Sequence, residues 1–164
     1  MARLRLLCMR AMLSPLNLVL GDSVDLTFRR CENLLDAAKF TFDNMRTYYE
    51  RFFVDWDVIK IAETTKPLDN FDILFEGKVV GVFRLQLKDD YMYLRDLQVH
   101  TSFQNRGIGK VVLNEVKHRA RDLNLSRLKL RVFKISPAVQ LYKRNGFTIQ
   151  DEDDRFFNLE SNVS

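Results

Sequence analysis

Leu97-Gln98-Val99, followed after four residues by Gln104-Asn105-Arg106-Gly107-Ile108-Gly109-Lys110, reads as a strand, a short loop and a helix that opens on two glycines. Such a turn binds anions. The first turn of a helix carries unshared backbone N–H groups and about half a unit of positive charge, and glycine lets a phosphate approach the main chain. Arg106 and Lys110 add side-chain charge at the same end. Two familiar phosphate motifs fail on spacing. A P-loop requires glycine five positions before Gly109, where Gln104 stands, and Ser or Thr after Lys110, where Val111 stands. A dinucleotide-binding turn requires a third glycine where Val112 stands, and no Asp or Glu follows at roughly 20 residues to hold a ribose.

Outward from this turn the C-terminal flank is strongly periodic. Ile108, Val111, Val112, Val116, Ala120 and Leu123 form the inward stripe of a helix, with Lys110, Asn114, Lys117, His118 and Arg121 on its wet face. Leu128, Leu130 and Val132 then alternate with Arg127, Lys129 and Arg131, a strand that follows a crossover helix and is expected to run parallel to the strand before it. Ser136 and Pro137 read as N-cap and first residue of a short helix that Gly146 terminates. Residues 147–150 and 155–160 read as closing strands around the acidic turn 151–154.

On the N-terminal flank, residues 24–30 alternate as a strand, and Leu34, Leu35, Ala38 and Phe42 have helical spacing. A second helix from about Tyr48 would turn Phe52 and Phe53 inward with Trp56 and Ile59. Residues 70–75 and 79–87 flank Gly77-Lys78, where glycine at the first loop position suits a type II′ hairpin turn. Residues 91–100 continue the antiparallel meander after Lys88-Asp89-Asp90.

The turn fits Gln/Arg-x-x-Gly-x-Gly/Ala, and Ala138-Val139-Gln140-Leu141-Tyr142-Lys143-Arg144-Asn145-Gly146-Phe147 fits Ala-x-x-Leu-Tyr-x-x-x-Gly-Phe after the expected intervening helix and strand. Together they resemble the GNAT superfamily of acyl-CoA N-acyltransferases. The element order agrees over about residues 24–160, and the specific motifs lie within 94–147. The resemblance implies an α+β fold with a mixed, mostly antiparallel central sheet of about six to seven strands flanked by helices on both faces. It implies one N-acetyltransferase domain over residues 21–164, with residues 1–20 as an N-terminal extension or a start-site artefact.

The resemblance further implies acetyl-CoA as co-substrate, no metal, and direct attack of a neutral amine on the thioester in a ternary complex. The diphosphate would be held by Gln104, Asn105, Arg106, Gly107, Ile108, Gly109 and Lys110, and the thioester would lie along Leu97, Gln98 and Val99, where a backbone N–H meets the oxyanion. Ser136 stands where the family often has Asn, and it replaces one of the amide's hydrogen bonds but not two; its other reading is a plain N-cap. Tyr142 matches the tyrosine that protonates the departing thiolate, against the reading of an inert half-buried aromatic. Asp96 is the first candidate for the general base, ahead of Tyr93 and His100, and its other reading is a solvated strand residue.

Acceptor specificity is expected from residues 44–56, where Met45, Tyr48, Tyr49 and Trp56 lie with Glu50, Asp55 and neighbouring Asp57; the other reading makes the aromatics core and the acids a wet face. The acceptor is expected to be a small-molecule or peptide amine, and a homodimer is compatible with the sequence.

Composition sets bounds on other classes. The chain has 164 residues, 46% hydrophobic and 29% charged, which suits one globular domain, and no apolar run reaches the ~18 residues that span a bilayer. Two cysteines, Cys8 and Cys31, build no disulfide framework, which points to a reducing cytoplasm. The net charge of +4 includes Arg3, Arg5 and Arg10, so the remainder carries +1, too little for a phosphate-backbone binder. Two other functions are weighed: an acyl-CoA-binding module without catalysis, and nucleic-acid binding through Arg127, Lys129 and Arg131.

Overall fold

The computed structural model describes residues 18–20 and 24–163. Eight strands share one sheet in the order β1-β2-β3-β4-β5-β6-β8-β7, one more strand than the resemblance implied. Beyond the strands, the described residues form four α-helices and a short 3₁₀ turn. The chain divides into two compact units, and strand β5 (Met92–Val99) runs from one into the other.

The first unit covers residues 18–86 and 95–109. It holds β1 (Leu18–Leu20), β2 (Val24–Arg30), β3 (Asp69–Phe75) and most of β4 (Lys78–Leu87), paired antiparallel in sequence order. Strand β1 lies within the stretch set aside as an extension; residues 1–17 of that stretch are outside the described residues. Strands β3 and β4 are buried along almost their whole length on both faces, which is why they read as continuous apolar runs. Phe83 anchors this core, stacked on Phe71 at 4.9 Å and edge-on to Phe28 at 5.5 Å.

The hairpin turn is Glu76-Gly77 rather than Gly77-Lys78. Phe75 pairs with Lys78, and the two residues between them have φ of +49° and +76°. Positive φ at both central positions makes a type I′ turn, not II′, so Gly77 takes the second place and Glu76 carries the strain.

Helix α1 (Leu34–Arg51) starts under Asn33, whose side chain accepts from the Leu35 and Asp36 N–H groups. No new helix begins at Tyr48: α1 continues to Arg51 and ends in a left-handed cap, with Phe53 at φ +53° and the Val54 N–H bonded to the Tyr49 carbonyl at 2.9 Å. Helix α2 (Val58–Thr65) follows under an Asp57 cap. Phe53 and Ile59 therefore do not turn inward; they are 97% and 63% exposed. Trp56 does pack, stacked on Tyr49 at 6.4 Å against Ala38, Ile61 and Ala62.

A phenylalanine in the left-handed region costs about 1–2 kcal/mol, and an exposed ring returns little of it. Glycine removes that cost but adds roughly 0.5–1 kcal/mol of unfolded-state entropy. Phe53→Gly is therefore expected to stabilise the protein by about 0.5–1 kcal/mol, read as a raised urea midpoint at unchanged slope.

The second unit covers residues 87–94 and 110–163. Residues 92–94 of β5 pair with Leu128–Leu130 of β6 (Arg127–Phe133), the parallel connection expected from the crossover. Strand β8 (Phe156–Asn162) pairs antiparallel with β6 and with β7 (Thr148–Glu152). Helix α3 (Ile108–Asp122) buries every residue of its expected stripe, together with Leu113 and Glu115. Glu115 is satisfied by Arg119, which donates to it at 2.6 Å. Among the described residues, no helix is long and apolar enough to cross a membrane.

Candidate active site

The turn between β5 and the next helix has the left-handed backbone that Gly107 suits. After β5, the 3₁₀ turn Thr101–Phe103 is capped by His100, whose Nδ1 accepts from the Ser102 N–H. Asn105 and Gly107 then take φ of +60° and +84°, and buried Ile108 starts α3. A Cβ on Gly107 would meet nothing within 4 Å, so glycine serves this turn through its φ and not through lack of space.

Arg106 lies over the Phe103 ring at 5.1 Å, and Phe103 in turn packs on Phe75 at 5.4 Å. Neither Arg106 nor Lys110 forms an ion pair among the described residues. Between Leu97 and Asn114 the sequence holds no carboxylate, and the next one, Glu115, is buried against Arg119. First-turn amides beside two cations that make no ion pair among the described residues suit an anionic group such as a diphosphate. Gln104 takes another part: its Nε2 donates to the Val99 carbonyl at 2.9 Å and braces the turn from within.

Upstream of the turn, the residues of β5 belong to a buried polar network that sequence reasoning missed. Arg84, in the middle of β4, is fully buried. It pairs with Asp96, and donates to Asn70 Oδ1 at 2.8 Å and to Thr41 Oγ1 at 2.7 Å. Thr41 Oγ1 donates to Asp96 Oδ2 at 2.6 Å, and Gln98 Nε2 to Asp96 Oδ1 at 2.7 Å. Asp96 is thus neither a solvated residue nor a free base. Its Oδ2 is filled by two donors and its Oδ1 by a third, and it is the partner of a fully buried guanidinium.

Of the two other proposed bases, His100 also has a structural partner. His100 Nδ1 is occupied as a cap. Tyr49, one of the aromatics expected at the acceptor side, has its hydroxyl pushed up to about 12, first by burial and then by the Asp96 carboxylate, so it holds its proton.

In the second unit, helix α4 (Ala138–Arg144) presents Tyr142, which is buried. The motif Leu-Tyr-x-x-x-Gly-Phe is a helix-ending device. Gly146 adopts φ +86°, its N–H bonds to Lys143 O at 3.2 Å, and the Phe147 N–H bonds to Tyr142 O at 3.1 Å. The Phe147 ring then packs edge-on to Tyr142 at 5.7 Å, fixing the phenol ring. Lys117 donates to Asn145 O at 2.8 Å at the same helix end. Pro137, not Ser136, occupies the cap position with helical backbone angles; Ser136 still contributes its Oγ as acceptor for the Ala138 N–H at 3.2 Å.

The remaining sequence candidates have structural partners. Asp57 caps α2, Asp55 pairs with Lys60 at 2.7 Å and Glu50 with Arg46 at 2.9 Å, so these acids form no open cluster for a cationic acceptor. The basic stripe on β6 is neutralised: Arg127 pairs with Asp90, Lys129 with Glu160 at 3.3 Å and Arg131 with Asp153. Burial, then Asp72, pushes the Cys31 thiol up to about 11, leaving roughly one part in ten thousand as thiolate at pH 7.

The model of the acetyltransferase (GNAT) family matches residues 28–147, which is most of the chain and includes both motifs. The chain belongs to the GNAT acetyltransferase family. Two curated relatives, both the acetyltransferase PseH of Campylobacter jejuni strains, are 39% identical over 56 residues and 44% identical over 54 residues. Those segments cover 33% and 32% of this GNAT chain, and about a third of each relative (36% and 34%). Among solved structures, the PaiA N-acetyltransferase of Thermoplasma acidophilum in complex with coenzyme A superposes with a TM-score of 0.65 at 19% identity, covering 84% of this chain and 99% of that one. The ribosomal-protein-S18-alanine N-acetyltransferase of Escherichia coli superposes with a TM-score of 0.66 at 18% identity, covering 85% and 94%. At such identities the likeness concerns the GNAT fold.

Proposed function

We propose that this GNAT protein transfers the acetyl group of acetyl-CoA to an amine by direct attack within a ternary complex. The observation that carries the reading is the turn at Arg106–Lys110, positive, free of acids and shaped by Gly107 at φ +84°. Its amides and the Arg106 and Lys110 side chains would hold the diphosphate, and the backbone of Leu97–Val99 would receive the thioester carbonyl as negative charge develops on it.

An amine of pKa about 10.4 is neutral in about one molecule per thousand at pH 7.4, so deprotonation costs roughly 4 kcal/mol. With Asp96 committed to Arg84 and His100 to its cap, that proton goes to solvent in this reading. The neutral nitrogen attacks the thioester carbon, the tetrahedral species collapses, and the C–S bond breaks as the sulfur takes a proton from the Tyr142 hydroxyl; the extra proton on the new amide nitrogen leaves to solvent, and solvent returns one to the Tyr142 oxygen. No cysteine intermediate is involved, in keeping with the raised thiol of Cys31.

The test is release of free thiol from acetyl-CoA with a panel of polyamines, lysine peptides, aminoglycosides and amino sugars. Amine-dependent thiol release is expected; binding of coenzyme A with no release for any amine would favour a non-catalytic binding module.

A further inference from the structure

The Val99 carbonyl is gripped from two directions. Asn44, on α1, donates to it through Nδ2 at 2.9 Å, and Gln104 donates through Nε2, also at 2.9 Å. The N–H of the same peptide unit, that of His100, donates to the Val80 carbonyl at 2.8 Å. One peptide group at the end of β5 is therefore held by three hydrogen bonds, two of them from side chains.

Neither side chain stands alone. The second hydrogen of Asn44 Nδ2 goes to Gln98 Oε1 at 3.1 Å, Gln98 Nε2 goes to Asp96, and Asp96 pairs with the fully buried Arg84. From the other side β4 presses without slack. A Cβ on Gly81 would lie 2.3 Å from the Gln98 carbonyl oxygen and 3.1 Å from the Val99 Cα. The strand end is thus clamped between a glycine that admits no side chain and a relay of amides anchored on a buried ion pair.

We propose that Asn44 and Gln104 are positioning residues for acyl transfer: by holding the Val99 carbonyl together, they fix the orientation of the strand end that receives the thioester. This rests on the reading under Proposed function. Gln104 also braces the diphosphate turn, whereas Asn44 lies outside it, so loss of the Asn44 donor should appear in turnover before it appears in coenzyme binding.

The test is a double-mutant cycle on Asn44→Ala and Gln104→Ala, with kcat measured by thiol release and coenzyme A affinity by calorimetry. Each single variant is expected to lower kcat about tenfold. The double variant is expected to fall about 10–20-fold, not about 100-fold, because either loss already frees the shared carbonyl. Asn44→Ala should change the coenzyme A Kd less than twofold. Asn44→Asp, which keeps the side-chain shape but loses both donors, should lose as much activity as Asn44→Ala. Singles whose effects multiply in the double variant, or an Asn44→Asp variant with wild-type kcat, would overturn the proposal. A wild-type protein that releases no thiol with any amine would overturn the functional reading and this one with it, whereas an active wild type with fully active variants would overturn this one alone.

Discussion

Tyr142→Phe is expected to reduce kcat about 100-fold while leaving the affinity for coenzyme A within a factor of two. General acid catalysis contributes typically 10²–10⁴-fold, and the lower end applies where the leaving group is a thiolate, which departs more readily than an alkoxide. The phenyl ring should keep its place, because the left-handed Gly146, the Phe147 N–H bond to the Tyr142 carbonyl and the 5.7 Å ring contact all remain in the variant. A fall in turnover of that size with unchanged binding assigns the hydroxyl to the chemistry. Unchanged turnover would return Tyr142 to the core.

Asp96→Asn is expected to be primarily a stability lesion. The variant keeps the shape of the side chain but removes the counterion of Arg84, which is fully buried. Removing one partner of a buried ion pair costs about 3–5 kcal/mol, a large part of the ~5–15 kcal/mol that holds a domain folded. The urea midpoint should drop steeply, and whatever folded enzyme remains should keep the pH–rate profile of the wild type. A variant of normal stability whose profile loses an ionisation would instead show Asp96 to be the base.

These two residues illustrate what the linear sequence discloses and what it conceals. The Tyr142 motif is local: helix, cap glycine and packing phenylalanine lie within six residues, and each has a fixed chemical reason to follow the last. The same holds for the turn at residues 104–110, where glycines and cations sit at a helix start, and for α3, whose stripe repeats at helical spacing over four turns. The Arg84–Asp96 pair is different. It joins two strands across 12 residues of sequence, and its identity depends on strand register. One signal was available: Arg84 interrupts the run Val79–Leu85, whose unbroken hydrophobicity marks a strand buried on both faces, and a charge there requires a buried partner.

The misread turns have a common origin. Glu76 and Phe53 both adopt left-handed backbone, which residue preference alone assigns to glycine or asparagine. In each case tertiary structure sets the geometry: the β3–β4 register fixes a two-residue loop at Glu76-Gly77, and the end of α1 requires a left-handed residue where Phe53 happens to stand. The acidic residues of 50–57 looked like an acceptor site because sequence shows charge without showing partners; Asp57 caps a helix, and the others are paired.

The central claim is that the main-chain N–H groups after Arg106 receive the diphosphate of coenzyme A. The direct measurement is a titration of ¹⁵N-labelled protein with coenzyme A, following backbone amide resonances. The Gly107, Ile108, Gly109 and Lys110 amides should shift downfield together and more than any others, with one shared dissociation constant. Saturable binding that leaves those four resonances in place, or no binding at millimolar coenzyme A, would contradict it.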